Sequence, residues 1–326
     1  LKAVMGRRLA PHFAMSAWVA GDVTTAIVYR TRLRNLLKAA TLLAAFSILP
    51  RAALPQDDIV ERGRYLTYAG GCISCHTEDI DDAVPLAGGR AMETPFGTFY
   101  SPNITPDRQT GIGAWSDEEF VHALHDGISP DGEHYFPSFP FTSYTGASRE
   151  DMLAIKAYLF SLPPVSKESR DHDLAWYMSS RIAAGAWKAL NFESARFVPD
   201  PDQDEQWNRG AYLVRHLGHC GECHSPRSTT GVIDAEMEMA GSVLGDEKIP
   251  NITSHRTAGI GRWSASDIEY FLDIGMLPDG DFTGSSMVDV IEDNTSKLTR
   301  EDRLAIAAYI KSLPALESEE DLSLIH

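Results

Sequence analysis

The chain has 326 residues, 43% hydrophobic and 23% charged, which is enough for two domains of ordinary size. Its formal net charge of -17 repels nucleic acid and anionic lipid, so we expect neither as a partner. The same charge would attract a basic protein.

The N-terminal segment has the pattern of a targeting signal. A basic stretch precedes the apolar run 39–49, and two small residues follow it: Arg30, Arg32, Arg34 and Lys38, then Ala52 and Ala53. This order predicts a secretory signal peptide and a periplasmic protein. The alternative is an uncleaved anchor that associates the protein with the membrane, although the run is short for a membrane span. We assign residues 1–56 to an upstream extension and this signal peptide.

Two C-x-x-C-H motifs hold all four cysteines of the chain. Such a motif places two thiols within reach of the vinyl groups of a haem and an imidazole within reach of its iron. The sequence therefore predicts two covalently bound haem c groups. The thiols are Cys72 and Cys75 in the first motif and Cys220 and Cys223 in the second, with His76 and His224 as iron ligands. The alternatives are a zinc site, which would need both motifs together, and a thioredoxin-like pair, which would need a βαβ setting.

The segments after the two motifs repeat each other at a constant distance of 148 residues. Pro-Asn-Ile-Thr begins at Pro102 and Pro250, and Gly-Ile-Gly-x-Trp-Ser begins at Gly111 and Gly259. The two C-x-x-C-H motifs are separated by the same distance. A constant offset over so long a stretch indicates an internal duplication.

Each repeat predicts the same order of elements. A first helix ends at the C-x-x-C-H motif, a short helix begins near Ser116 or Ser264, and a terminal helix is capped by Ser148 or Thr299. Strand patterns are scarce, so we predict a mostly α fold with two tandem cytochrome c domains. The domains are residues 57–165 and 208–316, joined by a linker, 166–207, and followed by an acidic tail, 317–326. We expect the aromatic first part of the linker to pack across both domains.

The sixth ligands of the two irons are predicted to differ. In the second domain Met287 offers a soft thioether from a loop before the terminal helix. In the first domain Phe136 or Phe139 stands near the equivalent place, and His134 is the nearest side chain able to bind iron. Three alternatives remain open here: His134 is the ligand, His134 is a surface histidine, or the sixth site is open. His122 and His125 are weaker candidates.

Four further side chains recur in both repeats as candidates for haem binding: Asn103, Trp115, Asn251 and Trp263. They either hydrogen-bond the haem propionates or organise their own loops. The carbonyl of Pro226 is a candidate acceptor for the second imidazole N–H of His224.

These motifs, with Trp207-Asn-Arg-Gly-Ala-Tyr-Leu-Val and Gly218-His-Cys-Gly-Glu-Cys-His-Ser-Pro-Arg227, resemble the membrane-associated c-type cytochrome subunits of bacterial alcohol, gluconate and aldehyde dehydrogenase complexes. The resemblance covers residues 57–315. It implies class I cytochrome c domains that pass electrons from a partner dehydrogenase to a quinone, a soluble cytochrome or an oxidase. Many members of that family carry three haems and an Ala-Met-Pro-Tyr segment where this chain has two motifs and Ser138-Phe-Pro-Phe141.

The leading hypothesis is therefore periplasmic electron transfer through two haems. The protein would be a subunit that accepts electrons from a dehydrogenase and passes them to the respiratory chain. His/Met ligation raises a haem potential, so electrons would enter at the first haem and leave from the second. The alternative is a di-haem peroxidase-like enzyme with an open first haem.

Overall fold

The computed structural model describes residues 56–318, with the exception of Tyr177 and Ser285. The predicted signal peptide, its upstream extension and all but the first two residues of the acidic tail lie outside the described residues.

The first half of the described chain is built from short helices around one β-hairpin. The helices are α1 (Gln56–Ala69), α2 (Cys72–His76), α3 (Asp117–Asp126), α4 (Phe141–Tyr144) and α5 (Arg149–Ser161). Strands β1 (Ala91–Thr94) and β2 (Gly97–Tyr100) form the antiparallel hairpin. The linker adds β3 (Asp173–Leu174), antiparallel to β2, and then α6 (Arg181–Asn191).

The second half has a similar order of elements. Its helices are α7 (Glu205–Tyr212), which continues as one π-helical turn (Leu213–Leu217), α8 (Gly221–His224), α9 (Ala265–Ile274), α10 (Met287–Asp293) and α11 (Arg300–Ser312). Two short 3₁₀ turns occupy Ala235–Met237 and Thr295–Lys297, and β4 (Ser242–Leu244) pairs with β5 (Glu247–Ile249). The prediction of a mostly helical protein is confirmed. Within residues 56–318 no helix has both the length and the apolar composition needed to cross a membrane.

The predicted helix starts are confirmed in both halves. Ser116 and Ser264 each form a capping box with the third residue of α3 and α9. The side chains of Ser148 and Thr299 each accept a hydrogen bond from a backbone N–H in the first turn of α5 and α11. These caps satisfy amide groups that a helix terminus leaves without partners.

A glycine lets the first and terminal helices of each half cross in close contact. A carbon added at Gly63 of α1 would lie 1.8 Å from the carbonyl oxygen of Ala154 in α5. In the second half, a carbon added at Gly210 of α7 would lie 1.9 Å from the carbonyl oxygen of Ala305 in α11. Any side chain would force these helix pairs apart.

The carboxylate of Asp151, at the start of α5, joins the two halves. It accepts hydrogen bonds from Nε of Arg62 in α1 at 3.1 Å and from the hydroxyl of Tyr212 in α7 at 2.6 Å. The Tyr212 hydroxyl in turn accepts from the backbone N–H of Ser148 at 3.0 Å. One carboxylate therefore fixes the α1–α5 crossing and also attaches the second half.

Asp302, at the start of α11, makes the same contacts with the halves exchanged. It accepts from Nε of Arg209 in α7 at 2.8 Å and from the hydroxyl of Tyr65 in α1 at 2.6 Å. The backbone N–H of Thr299 donates to the Tyr65 hydroxyl at 3.1 Å. Burial acts to raise the pKa of Asp302, but the hydrogen bonds from Arg209 and Tyr65 hold it below its usual value. The carboxylate is therefore ionised at neutral pH.

Removing either tyrosine hydroxyl should weaken the contact between the halves. We expect Tyr212→Phe to lower the free energy of unfolding by about 1–2 kcal/mol, because Asp151 loses a buried hydrogen bond. Tyr65→Phe should act similarly through Asp302. Urea unfolding of the haem-loaded protein measures both. Tyr158→Phe is the control, because it removes a hydroxyl that takes no part in the Tyr–Asp hydrogen bonds between the halves. It should change the free energy of unfolding by less than about 0.5 kcal/mol. Equal stability of all three variants and the wild type would contradict the role of the bridges.

His125, in the last turn of α3, is a buried histidine with an unsatisfied nitrogen. The residue is 2% exposed, and its Nε2 atom has no hydrogen-bond partner among the described residues. Burial, followed by the nearby charge of Arg196, lowers its pKa to about 4. The imidazole is therefore neutral in the folded protein at neutral pH.

This histidine should make the fold sensitive to acid. In the unfolded chain His125 binds a proton near pH 6.5, whereas in the folded protein it does so only near pH 4. Its contribution to the stability of the fold is therefore complete above pH 6.5 and is lost as the pH falls toward 4. At pH 5 we expect the free energy of unfolding to lose about 2 kcal/mol through His125 relative to pH 7. His125→Leu should flatten this dependence in urea titrations at the two pH values. His122→Gln, at an exposed position, should keep the wild-type dependence, and an unchanged slope in His125→Leu would refute the assignment.

Candidate haem sites

In each half the first helix ends before the C-x-x-C-H motif, and the motif forms a separate helical turn. The first helix was expected to run into the motif, but α1 ends at Ala69 and α2 begins at Cys72. The break residue, Gly71, has a φ of 65°, a left-handed conformation that glycine adopts readily. His219 stands immediately before the second motif and also has a positive φ, 38°. This sharp turn redirects each motif away from the axis of its first helix.

Both imidazoles are oriented by a backbone carbonyl. Nδ1–H of His76 donates to the carbonyl of Pro102 at 2.8 Å, and Nδ1–H of His224 donates to the carbonyl of Pro250 at 2.7 Å. Burial lowers the pKa of both histidines, so the rings are neutral. Each ring therefore keeps the lone pair of its Nε2 for a metal, the tautomer that an iron ligand requires. The residues present thus fit haem iron.

The role expected for the Pro226 carbonyl is wrong. That carbonyl accepts instead from the backbone N–H of Asp234 at 2.9 Å. The true acceptors belong to the repeated Pro-Asn-Ile-Thr segments, which follow each histidine by 26 residues. Their repetition was visible in the sequence, but a backbone acceptor leaves no mark on residue identity.

The four cysteines are free thiols, as thioether attachment requires. Burial raises the pKa of Cys72 and of Cys220 to about 12. Burial and then the neighbouring Cys75 thiol raise the pKa of Cys223 to about 11. The described residues contain no group of three or more His, Cys, Asp or Glu side chains that could hold a metal ion. The geometry therefore gives the zinc alternative no support.

The chain segments that lead into the two motifs meet where the two halves pack together. A carbon added at Gly71 would lie 3.4 Å from Nε2 of His219, and the His219 ring packs edge-on against the Tyr144 ring, with centroids 5.5 Å apart. The Tyr144 hydroxyl donates to the carbonyl of Gly70, just before the first motif, at 2.6 Å. Tyr144 and His219 thus fill the space between the chain segments that lead into the two motifs.

The middle residues of each motif bond to the opposite half. In the second motif, Glu222 accepts from the hydroxyl of Ser143 at 2.7 Å and from that of Thr142 at 3.0 Å. In the first motif, the Ser74 hydroxyl accepts from the amide of Asn294 at 3.3 Å. Glu222 also pairs with Arg227, and although burial acts to raise its pKa, these partners keep the pKa below its usual value. Sequence reasoning missed the contacts with Thr142, Ser143 and Asn294 because these partners are distant in the chain.

Asn103 and Asn251 organise their own loops. The Asn103 carboxamide oxygen accepts from the N–H and hydroxyl of Thr105, and its amide donates to the Val165 carbonyl at 2.8 Å. Asn251 repeats this with Thr253 and with the Leu316 carbonyl, at 2.9 Å. Both side chains are almost completely buried. Protein partners saturate them, so the structure favours the loop-organising alternative over contact with a propionate.

The two tryptophans occupy different environments. Trp263 is 7% exposed, and its ring packs against Phe271 with centroids 5.4 Å apart. Trp115 is half-buried against the main core, just before α3. Their predicted role toward a propionate stays a prediction.

Met287 is the first residue of α10, whereas a loop was expected. Its side chain is half-buried against the main core. The preceding Ser286 donates through its backbone N–H and its hydroxyl to Glu247 of β5, at 3.2 and 2.8 Å. The hairpin therefore fixes the chain where Met287 begins, and its role as an iron ligand stays a prediction.

His134 does not lie at the position that corresponds to Met287. It forms a β-bridge with Ile128, and the matching bridge in the second half joins Met276 to Phe282. Phe282 is thus the counterpart of His134, five residues before Met287. The His134 imidazole lies against α6, so closely that a carbon added at Gly185 would be 2.5 Å from its Cδ2. The structure thus packs the His134 ring on α6, and the Nδ1 atom of that ring is buried without a hydrogen-bond partner among the described residues. Its role as an iron ligand stays a prediction.

The segment from Tyr135 to Ser148, which corresponds to the Met287 region, contains no Met, His, Lys or Cys. Phe139 lies here, packed on the rings of Tyr135 and Tyr144. Burial raises the pKa of both tyrosines, to about 12 for Tyr135 and well above the usual value for Tyr144. Neither offers a phenolate at neutral pH. The two candidate sites therefore differ in the side chains available in the region of Met287.

Comparison with known proteins agrees with this picture. The cytochrome c family profile matches residues 60–163. The chain is 43% identical over 261 residues to a diheme cytochrome c-type protein of Cereibacter sphaeroides, covering 78% of this chain and 86% of that protein. It is 38% identical to the gluconate 2-dehydrogenase cytochrome c subunit of Pantoea cypripedii, over 81% of this chain and 62% of that subunit.

A similar match extends to the fructose dehydrogenase cytochrome subunit of Gluconobacter japonicus, at 37% identity over 86% of this chain. The chain spans 62% of the gluconate dehydrogenase subunit and 58% of the fructose dehydrogenase subunit, so it corresponds to about three fifths of each. The oriented imidazoles, the free thiols and these similarities lead to one conclusion: the chain belongs to the cytochrome c family, whose cofactor is haem c.

Proposed function

We propose that this protein transfers electrons through two covalently bound haem c groups. The observation that carries the proposal is the pair of C-x-x-C-H turns, each with its histidine oriented by a proline carbonyl. Haem c, when bound, supplies a reversible one-electron iron couple. The chain's own residues bind it through thioethers, orient the imidazoles and hold the two motifs close together.

The proposal includes two tandem class I cytochrome c domains that arose by duplication, at residues 57–165 and 208–316. The constant spacing of the repeated motifs supports this division. So do the exchanged contacts, in which Asp151 binds Tyr212 and Asp302 binds Tyr65. Such reciprocal pairs are expected when two copies of one unit meet across an approximate twofold axis.

We further propose that the electron donor is a dehydrogenase subunit and that the acceptor is a soluble cytochrome, a quinone or an oxidase. Similar proteins that are cytochrome subunits of gluconate and fructose dehydrogenases support the donor. The N-terminal pattern of basic, apolar and small residues supports export to the periplasm.

The peroxidase-like alternative has less support. A peroxidase would need an acid–base group beside an open iron, and the segment from Tyr135 to Ser148 contains no Asp, Glu or His. His134, just before this segment, packs against α6. A carrier role therefore explains the first site better than an enzymatic one.

Haem content tests the number of cofactors. The wild type, produced with a haem c maturation system, should carry two haems per chain by intact mass and by haem absorbance. Cys72→Ala/Cys75→Ala should carry one, and so should Cys220→Ala/Cys223→Ala, because each motif binds its own haem. A single haem in the wild type would refute the proposal. Intact mass of the soluble fraction separates loss of one haem from failure to fold.

Met287→Leu tests the second iron's sixth ligand. The variant should lose the thioether-to-iron absorption of the oxidised protein, and the potential of one haem should fall while the other stays constant. Met152→Leu is the matched control, because Met152 is fully buried in α5 and a Met-to-Leu change is well tolerated in a core. An unchanged spectrum and potential in Met287→Leu would exclude Met287 as the ligand.

A further inference from the structure

Helix α6 in the linker presents an apolar face to solvent. At 3.6 residues per turn, five side chains share one arc of the helix about 120° wide. All five are exposed and none is polar: Ile182, Ala183, Ala186, Ala189 and Leu190. Ile182 is 85% exposed and Leu190 is 84% exposed. A surface helix normally turns its polar side outward, so this orientation needs a reason.

The polar contacts of α6 lie on its inner side and hold it rigidly. The buried Lys188 donates through Nζ to the carbonyls of Asp126 and Gly127, at the end of α3, at 2.5 and 3.2 Å. The guanidinium of Arg181 lies over the Phe136 ring, 4.3 Å from its centroid. The indole N–H of Trp187 donates to the carbonyl of Thr230 in the second half at 2.8 Å. The outer face is therefore preorganised, and binding to it costs little ordering entropy.

The net charge of the chain indicates which kind of partner binds the apolar face of α6. Residues 174–192 contain no Asp or Glu, although the chain as a whole has 46 of them and a net charge of -17. Two copies of so acidic a protein repel each other, and an anionic bilayer repels it as well. A basic protein surface with an apolar groove is attracted by the acidic body and meets an uncharged apolar face at α6.

The position of α6 links this face to the first candidate haem site. His134 packs on Gly185 of α6, and Phe136 packs under Arg181. Both lie in the chain segment that leads to Phe139, within the region that corresponds to Met287 of the second half. A protein bound to α6 would therefore sit beside the first candidate haem site.

We propose that the outer face of α6, centred on Ile182 and Leu190, is the docking surface for the dehydrogenase subunit that donates electrons to this cytochrome. The inference rests on the proposed function. The partner surface is apolar at its centre, where buried side chains give most of the affinity, and basic at its rim.

The test compares variants of the full chain loaded with haem. The dehydrogenase subunit that co-purifies with the tagged wild type is isolated, and its affinity for each variant is measured by sedimentation. Ile182→Asp/Leu190→Asp should weaken binding at least tenfold, and Ile182→Ser/Leu190→Ser should also weaken it without adding charge. Ile80→Asp/Ile274→Asp, at positions 61% and 43% exposed, adds the same charge elsewhere and should bind like the wild type. Haem absorbance verifies folding, and amide hydrogen exchange of residues 174–192 should slow in the complex.

Several outcomes would overturn the docking surface. One is wild-type affinity in both α6 variants. Another is self-association of the wild type that the α6 variants abolish, which would make the occupant a second copy. A third is flotation with vesicles of phosphatidylglycerol that the same variants abolish, which would make it a lipid surface. If the wild type binds no dehydrogenase subunit at all, the proposed function itself fails.

Discussion

The reciprocal hydrogen bonds from Tyr212 to the buried Asp151 and from Tyr65 to the partly buried Asp302 are the interaction on which the remainder of the structure depends. Asp151 is 3% exposed, and a polar group at that depth is tolerated only when it is hydrogen-bonded. Arg62 supplies the charge, and Tyr212 of the other half supplies a second donor. Asp151, which joins α1 to α5, therefore has all of its hydrogen bonds only when the second half is in place. The same carboxyl group thus stabilises the first half and its contact with the second half.

The bridges also decide how close the two motifs lie. Each carboxylate stands at the start of a terminal helix, and each tyrosine lies on a first helix that leads to a C-x-x-C-H turn. Joining them brings Gly71 close to the His219 ring, which packs edge-on against Tyr144. A carrier with two redox groups gains from such a rigid, short separation, because its motifs need no rearrangement to meet.

Local and repeated features were predictable from the sequence. The helix caps at Ser116 and Ser148, the C-x-x-C-H turns and the helical class depend on short-range patterns, and the structure agrees. Sequence patterns could not predict contacts that depend on a backbone atom or on residues far apart in the chain. These contacts are the acceptor role of the Pro102 carbonyl, the Tyr–Asp hydrogen bonds and the pairing of Ser74 with Asn294. The contact of His134 with α6 was not predictable for a related reason, because it depends on the β-bridge to Ile128 and on a helix about fifty residues further along the chain.

The two halves differ in the chain beyond each terminal helix. Asn103 ties its loop to Val165, after α5, and Asn251 ties its loop to Leu316, after α11. In the first half the chain then continues into β3, which extends the β1–β2 sheet, and into α6, which lies on the loop before Phe139. Two similar frames thus acquire unequal surroundings. Because the first half has Phe139 where the second has Met287 and also carries α6, the side chains available near the first motif and the accessible surface beside it differ together from those of the second half.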